Sequence, residues 1–251
     1  TLSNGAYLDC TPEHKFYVQT GYVSPDRRNS KIKEVRAANL QEGQKLIKLD
    51  TPVIEGGEVL EKAYTNGFFT GDGCRVSADR GQDFDRIYLY GEKKALRDKI
   101  DHPVEDWTTG GQENRLISGR VQGLKAKFFV PDASYTVKSR LDWFAGLLDS
   151  DGSVCRNGTS KSAQIGSVNL PFLEEVRLML QTLGVQSKVT LAREAGTYAL
   201  PANDGTGGTK MYDCQVVHRL LVSGSGLKSL LDIGLDTHRL DFGTVSPNRN
   251  A

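Results

Sequence analysis

Two stretches of the chain show the same succession of helical and strand-like hydrophobic patterns. The first opens with VLEKAYTNGFFT (59–70), in which apolar residues recur at helical spacing up to a tight Gly-Asp-Gly turn. The alternation that follows predicts two strands, a short helix and two further strands, at 75–78, 86–90, 92–100, 115–121 and 125–130.

The second stretch repeats this order. It opens with the apolar helix LDWFAGLLD (141–149), which runs into Ser-Asp-Gly. An amphipathic helix, PFLEEVRLMLQTL, starts at Leu170-Pro171 and stops at Gly184. The remaining elements are predicted strands at 153–156, 163–168, 185–192 and 211–222 and a helix at 227–233. An internal repeat is the most informative feature of the organisation.

The first fifty residues have a different character. Residues 1–18 alternate around a turn at Thr11-Pro12, and GQKLIKL (43–49) is typical of a strand. RAANLQEGQ between them indicates a short helical turn that Gly43 ends. PVIEGG (52–57) is a plausible boundary before the repeated units.

The helices that open the two units align directly, as TNGFFTGDG (65–73) and FAGLLDSDG (144–152). Both have a glycine at the third position, Gly67 and Gly146, and both end in Asp-Gly. The aspartates, Asp72 and Asp151, are 79 positions apart (151 − 72), which is enough for one compact unit. A single apolar helix ending in Asp-Gly is commonplace, whereas two copies with matching downstream order make coincidence the weaker interpretation.

Facing glycines let two helices approach closely, so the helices are predicted to pack as a central seam that brings their terminal aspartates side by side. Paired carboxylates bind hard divalent cations such as Mg²⁺. Such ions activate water and stabilise a leaving oxygen in phosphodiester hydrolysis.

These motifs resemble LAGLIDADG homing endonucleases, and the second copy is the better match. The resemblance covers about 58–240 and implies an α+β fold with two pseudo-symmetric αββαββα repeats, about 58–135 and 136–240. It implies a site-specific, two-metal double-strand DNA endonuclease that uses Mg²⁺ (or Mn²⁺) and a long asymmetric target. The implied metal site comprises Asp72 and Asp151 with Gly71 and Ser150.

The resemblance also implies that curved sheets enter the major groove. The groove-facing candidates are Arg75, Ser77, Arg86, Tyr88, Arg156, Asn157, Lys161 and Gln164. Residues 114–140 hold six basic residues against one acid, a local excess that suits phosphate contacts; the six are Arg115, Arg120, Lys125, Lys127, Lys138 and Arg140. For each of these side chains, a solvated strand face is the competing interpretation.

Family members place a basic residue near the metals, about 25 residues before the second aspartate. Lys127 is the candidate here, with Lys125 as its neighbour. In the second half the counterpart stays open among Arg219, Lys210 and Lys188, of which Arg219 and Lys188 are also DNA-binding candidates.

CTPEHKFYV (10–18) carries Thr11 and His14 in a TxxH arrangement that resembles the second conserved block of intein splicing (Hint) domains. In that block, the Thr and His polarise the scissile peptide bond. The resemblance implies a partial all-β Hint segment at 1–57 and a return linker at 241–251 toward further Hint strands. The sequence around TPVIEGG and YTNGFFTGDGC resembles inteins of ribonucleotide reductases, so a reductase is the candidate host protein. Neither splice-junction block is present, which predicts a central fragment, a split intein that needs complementary fragments, or a degenerate element.

The amino-acid composition restricts the classes of protein to which this chain can belong. Lys and Arg total 32 against 31 for Asp and Glu, so a DNA surface must come from uneven charge distribution. The four cysteines are far apart without a CxxC pair, which argues against a zinc site or disulfide framework. No apolar stretch is long enough for a membrane helix, and an intracellular protein of cytoplasm or nucleoid is expected. Two alternatives to the nuclease remain: a splicing fragment with an inactive LAGLIDADG domain, and a DNA-binding protein that does not cleave.

Overall fold

The computed structural model describes residues 2, 8–21, 31–47, 51–77, 83–101, 107–110, 116–157, 160–202 and 207–245. Internal contacts divide the chain into two compact units, Thr1–Asp50 and Thr51–Ala251. The smaller unit is a three-stranded antiparallel sheet, and the larger one combines helices and sheets. The predicted α+β class is therefore confirmed.

In the smaller unit, β1 (Lys15–Gln19) is the central strand between β2 (Ile32–Arg36) and β3 (Lys45–Leu46). Its side chains alternate, and Val18 is the buried one. A short 3₁₀ helix, Ala37–Asn39, follows β2. Gly43 has φ = +83° and turns the chain into β3, which is a conformation that glycine adopts without strain.

The first half of the larger unit packs one helix against one sheet. Its elements are α1 (Ala63–Asp72), β4 (Gly73–Val76), β5 (Phe84–Tyr90), a 3₁₀ helix (Gly91–Lys99), β6 (Thr108–Gly110) and β7 (Leu116–Val121). The sheet is antiparallel in the order β4-β5-β7-β6. Alternate residues of β5, Ile87 and Leu89, are buried with Phe68 and Phe69 of α1. This alternation gives the sheet one core face and one outer face.

The second half is larger. Its elements are α2 (Val137–Asp151), β8 (Gly152–Asn157), β9 (Ser160–Ser167), α3 (Leu170–Thr182), β10 (Ser187–Arg193), β11 (Gly196–Pro201), β12 (Thr209–Cys214), β13 (Val217–Val222) and α4 (Gly224–Asp232). Four strands form an antiparallel sheet in the order β10-β13-β9-β8, and β11 pairs with β12 as a separate ribbon. Polar side chains at Thr136, Asn169 and Ser223 cap the three helices by accepting backbone N–H groups of their first turns.

Three local predictions were wrong. Residues 125–130 form turns and irregular chain in place of a strand, and no helix closes the first half between β7 and α2. The positive φ of Gly123 and the ring of Pro131 both interrupt regular structure there. The single strand predicted at 211–222 is two strands, β12 and β13, because the chain turns between them. In the larger unit, neither β6 nor β11 was predicted.

The helices α1 and α2 touch through their backbones. A Cβ atom on Gly67 would lie 1.8 Å from the carbonyl oxygen of Trp143, and one on Gly146 would lie 2.0 Å from that of Tyr64. The two contacts are reciprocal, since adding 79 to Tyr64 and Gly67 gives Trp143 and Gly146. Only glycine permits this approach. The two glycines at matching positions of the helices therefore set how close the two helix backbones lie.

A buried arginine holds the chain that leads into this helix pair. Arg140 of α2 is fully buried and donates to the hydroxyl of Thr182 and to the carbonyl of Ile54. Burial lowers the pKa of its guanidinium below the ordinary value. The carbonyl of Thr182 also accepts the backbone N–H of Ile54 at 2.9 Å. Residues 51–58 are thereby fixed to the second half.

Truncation of Arg140 to alanine is expected to destabilise the larger unit by about 3 kcal/mol, because a buried long side chain is replaced by a cavity and two acceptors lose their donor. Arg140→Met, which keeps the volume, should destabilise less. Lys138→Ala is the control, since the Lys138 side chain is 82% exposed on the same helix. Urea unfolding measures all three, and an Arg140→Ala variant as stable as Lys138→Ala would contradict this role.

Candidate active site at the ends of the paired helices

The close approach of α1 and α2 brings their C-terminal ends together. A Cβ atom on Gly71 would lie 2.2 Å from the hydroxyl of Ser150 and 2.9 Å from the carboxyl carbon of Asp151. The carboxylate of Asp72 is 15% exposed and forms an ion pair with Lys93 from the 3₁₀ helix. The carboxylates of Asp72 and Asp151 and the ammonium of Lys93 thus lie close together at the helix ends.

Asp151 has an acid–base environment that reflects this crowding. Its carboxylate borders solvent, yet the surrounding protein limits its hydration and raises its pKa above the ordinary value. The negative charge of Asp72 raises the pKa further, and the positive charges of Lys93, Lys127 and Arg239 lower it. These five groups therefore form one electrostatic cluster.

Lys127 closes the end of α1. Its ammonium donates to the carbonyl oxygens of Phe69, Gly71 and Gly73, at 2.7, 2.9 and 2.5 Å. Carbonyls at a helix C-terminus attract cations, which explains this position. Burial lowers the pKa of Lys127, while the charges of Asp151 and Asp72 act in the opposite direction. Lys125 differs, because its ammonium lies 5.5 Å from the centre of the Phe129 ring.

Arg239 occupies the corresponding place on α2. Its guanidinium donates to the carbonyls of Leu148 (3.0 Å), Asp149 (2.6 Å) and Gly152 (2.6 Å). The sequence leaves the second-half counterpart of Lys127 open among Arg219, Lys210 and Lys188, whereas the structure places a different residue, Arg239, at this helix end. The residue lies 88 positions after Asp151 (239 − 151), outside every helix and strand, so no periodic signal pointed to it.

The outer face of the first sheet carries some of the predicted DNA-contacting residues. Arg86 and Arg120 are register partners on this face, and both guanidiniums lie over the ring of Phe84. Tyr88 shares the face, since it lies two residues from Arg86 on β5. Arg75 lies on the opposite face, where it forms a bidentate ion pair with Asp85.

Two further DNA-binding candidates belong to the first half, Ser77 and Arg115. Ser77 follows β4 and is exposed, and Arg115 lies outside the described residues. The strand pairing therefore separates Arg75 from Arg86 and Tyr88, so the three side chains do not share one reading surface.

The second sheet divides its candidates in the same way. Gln164, Lys188 and Arg219 lie on the outer face, where Arg219 donates to the side-chain oxygen of Gln164 at 3.4 Å. Lys161 and Arg156 are register partners on the face of buried Ala163. The ammonium of Lys161 donates to the carbonyl of Phe242. Asn157 ends β8, and its side chain is outside the described part of the chain.

The predicted splicing residues lie in the smaller unit. The backbone N–H of His14 donates to the carbonyl of Thr11 at 3.0 Å, which closes the turn before β1. Both residues are exposed, and the imidazole of His14 meets the ring of Phe16 edge-on at 4.9 Å. The two side chains are thus close in the chain and open to solvent.

Residues 139–233 match the family of LAGLIDADG-like domains. The match begins within α2 and ends directly after α4, so the predicted LAGLIDADG resemblance is confirmed for the second half of the larger unit. Within the described residues, no helix has the length and apolar character needed to cross a membrane.

Two curated relatives share most of the chain. The ribonucleoside-diphosphate reductase large subunit of Invertebrate iridescent virus 6 is 38% identical over 260 residues, which cover 100% of this chain and 26% of that protein. The ribonucleoside-diphosphate reductase NrdEB subunit alpha of Bacillus subtilis (strain 168) is 23% identical over 266 residues, which cover 90% of this chain and 23% of that protein. The chain therefore spans about a quarter of the length of these relatives.

Solved structures that resemble this chain include mesophilic variants of the homing endonuclease I-DmoI, with a TM-score of 0.42 and 15% identity over 70% of this chain and 96% of that one. Full-length DUF199/WhiA from Thermatoga maritima also has a TM-score of 0.42 and 15% identity, over 70% of this chain and 56% of that one.

Proposed function

We propose that the larger unit is a homing endonuclease that cuts both strands of a specific duplex DNA site. The observation that carries this proposal is the arrangement at the helix ends, where Asp72 and Asp151 share one site and Lys127 and Arg239 each occupy the end of one helix. The two halves act as pseudo-symmetric repeats, so that each cation faces one strand of an antiparallel duplex.

The residues at the site suit Mg²⁺ or Mn²⁺. Asp72 and Asp151 supply hard carboxylate oxygens, and no third acidic, histidine or cysteine group joins them among the described residues. A site with few protein ligands fits Mg²⁺, which keeps several waters. Of the neighbouring candidates, the carbonyl of Gly71 already accepts the ammonium of Lys127 at 2.9 Å. The hydroxyl of Ser150 donates to the carbonyl of Leu147 at 2.9 Å, and its oxygen keeps lone pairs that a metal ion can use.

The chemistry that a bound divalent ion supplies is activation of water and charge stabilisation at the scissile phosphate. The chain contributes the carboxylates of Asp72 and Asp151, which would hold the ion. It also contributes the fixed positive charges of Lys127 and Arg239, which would offset the negative charge that develops on phosphate oxygens. Because both cations are already bound to helix carbonyls, little reorganisation is needed when DNA arrives.

The outer faces of the two sheets are the proposed DNA surface. Arg86, Arg120 and Tyr88 lie on one face, and Gln164, Lys188 and Arg219 lie on the other. Arginine suits guanine edges and glutamine suits adenine edges in the major groove. The net charge of +1 means that phosphate contacts depend on these local groups.

The large subunit of a ribonucleotide reductase is the proposed host protein. The whole chain aligns with about a quarter of the viral reductase subunit at 38% identity, which fits an element inserted within a reductase chain. The proposed target is then reductase-coding DNA at the insertion site. The smaller unit, with Thr11 and His14, is proposed as part of the Hint splicing domain.

Plasmid cleavage tests the nuclease proposal. The substrate is a plasmid with the uninterrupted reductase gene, incubated with wild-type protein in Mg²⁺, Mn²⁺ or EDTA. We expect a linear product with either metal and none in EDTA. A second plasmid, in which the insertion splits the target, should resist cleavage.

Binding without cleavage is the second candidate function, because Lys93 already pairs with Asp72 and could keep the acidic site from holding a metal. A specific band shift on the uninterrupted gene, with no product in either metal, would support a DNA-binding domain that accompanies a splicing element. Absence of both cleavage and band shift would overturn both proposals.

Lys127 and its neighbour provide a matched pair of variants. Lys127→Met is expected to reduce the cleavage rate about a hundredfold, because a fixed cation at the reacting phosphate is lost. Lys125→Met changes the same loop but removes only an ammonium that lies over Phe129, so its rate should stay close to wild type. Single-turnover cleavage measures both. Equal losses in the two variants would show that the loop, and not the Lys127 charge, matters.

A further inference from the structure

Residues 235–242 follow α4 and cross the end of α2 without regular secondary structure; we call them the strap. Leu235 and Phe242, at its two ends, are buried in the main core. Lys161 of β9 donates its ammonium to the carbonyl of Phe242. The strap is therefore fixed at both ends, and Arg239 lies between them.

Asp149 anchors the middle of the strap. This fully buried residue of α2 accepts three backbone N–H groups, from His238 (2.7 Å), Arg239 (3.0 Å) and Leu240 (3.4 Å). It also accepts the hydroxyl of Tyr64 at 2.9 Å. A buried carboxylate requires such partners, and successive N–H groups of one segment are fixed in place when they share one acceptor group.

In the first half, a different residue holds the segment that carries the cation. Asn66 of α1 is buried, and its side-chain oxygen accepts the backbone N–H of Lys125 at 2.7 Å. Its amide nitrogen donates to the carbonyls of Glu61 and Lys62. Two residues after Lys125, the ammonium of Lys127 reaches the end of α1. Asn66 thus fixes the loop that carries the cation.

The cations correspond between the halves, but their anchors do not. Adding 79 to Phe69 and Gly73, which accept from Lys127, gives Leu148 and Gly152, which accept from Arg239. The counterpart of Asn66 is Ala145 (66 + 79), and the counterpart of Asp149 is Thr70 (149 − 79). Two unrelated anchors therefore place a cation at equivalent points, which indicates that the position of the cation is the shared requirement.

We propose that Asn66 and Asp149 are positioning residues, which hold Lys127 and Arg239 at the two helix ends, and that each anchor serves the cleavage of one DNA strand. This proposal rests on the proposed nuclease function. Its specific consequence is asymmetric: loss of one anchor slows one strand and leaves the other.

Strand-resolved cleavage tests the assignment. The two strands of the target duplex carry different end labels, and both rates are measured in Mg²⁺ under single-turnover conditions. Asp149→Asn should change the ratio of the two strand rates at least about tenfold and accumulate nicked duplex, with unchanged DNA affinity in metal-free buffer. Asn66→Ala should change the ratio in the opposite direction. Asp142→Asn, an exposed carboxylate on α2, is the control and should keep the wild-type ratio.

A double variant separates positioning from a general structural effect. Arg239→Ala alone should give the same strand bias as Asp149→Asn. If Asp149 acts through Arg239, adding Asp149→Asn to Arg239→Ala should slow that strand by less than about twofold more. Equal slowing of both strands in Asp149→Asn, or multiplication of the two effects in the double variant, would overturn the proposal.

Hydrogen exchange tests the anchor without DNA. The amides of His238, Arg239 and Leu240 should be protected in the wild type and exchange at least about tenfold faster in Asp149→Asn, while amides of β9 keep their protection. Unchanged exchange in the strap overturns the anchoring role. A wild-type protein that cuts neither strand overturns both the nuclease function and the assignment of strands. The exchange result then still decides whether Asp149 anchors the strap.

Discussion

Asp151→Asn is expected to reduce DNA cleavage at least about a thousandfold while the protein still binds its target. Asparagine keeps the shape of the side chain but removes the charge that would hold a divalent ion. Loss of metal-supplied stabilisation of about 4 kcal/mol corresponds to three powers of ten in rate. The measurement is single-turnover cleavage at saturating protein, with a band shift in metal-free buffer to confirm binding.

Asp142→Asn is the matched control for this experiment. Asp142 lies on the same helix, nine residues earlier (151 − 142), and forms an exposed ion pair with Lys138. Such pairs contribute little, so this variant should cut at the wild-type rate. An Asp151→Asn variant that cuts as fast as Asp142→Asn would show that Asp151 is not a metal ligand, and the proposed mechanism would be wrong.

Gly67→Ala is expected to destabilise the larger unit by at least about 3 kcal/mol. The added Cβ would lie 1.8 Å from the carbonyl oxygen and 2.7 Å from the carbonyl carbon of Trp143, both of which belong to the backbone. Alanine normally favours a helix over glycine by about 1 kcal/mol, but the helices must separate to admit the methyl group, and this overpacking outweighs the gain. A fall in melting temperature of about 10 °C is the expected measurement.

Gly57→Ala is the control, because a Cβ there meets no atom within 4 Å and the residue precedes α1 in the chain. Its stability should stay within about 0.5 kcal/mol of wild type. If Gly67→Ala unfolds no earlier than Gly57→Ala, the close helix contact is not required for the fold. The folded Gly67→Ala protein would then be expected to keep both aspartates in place and to cut DNA normally.

The helix pair shows which features of the fold could be predicted from the local sequence pattern. Apolar residues predicted α1, α2 and α3. In α3 they mark the one face that enters the core, whereas α1 and α2 are buried around most of their circumference, since residues 65–70 and 143–150 are buried without interruption. The glycines at 67 and 146 predicted the close contact, since no other residue allows it. The 3₁₀ helix after β5 and the ribbon of β11 and β12 carry weaker patterns, because few of their side chains enter the core.

The choice among cations could not be made in this way. Lys125 and Lys127 are two residues apart in the same loop. The contact between Asn66 and the backbone of Lys125 fixes this loop, and the Lys127 ammonium then reaches the carbonyls at the end of α1. Arg75 and Arg86 are both basic residues on paired strands, yet the register places them on opposite faces. A shift of one residue exchanges the faces, so charge content alone does not identify a reading surface.

By itself, the sequence determined the repeated order of elements, the two Asp-Gly helix ends and the glycines that bring them together. These features are local, because periodicity and backbone freedom act over a few residues. Tertiary structure alone decided that Arg239, 88 residues after Asp151, lies at the end of α2, and that Lys161 holds the strap instead of facing outward. Such positions depend on buried hydrogen bonds between segments far apart in the chain. Packing decides which polar groups lose contact with water and therefore need a partner within the protein.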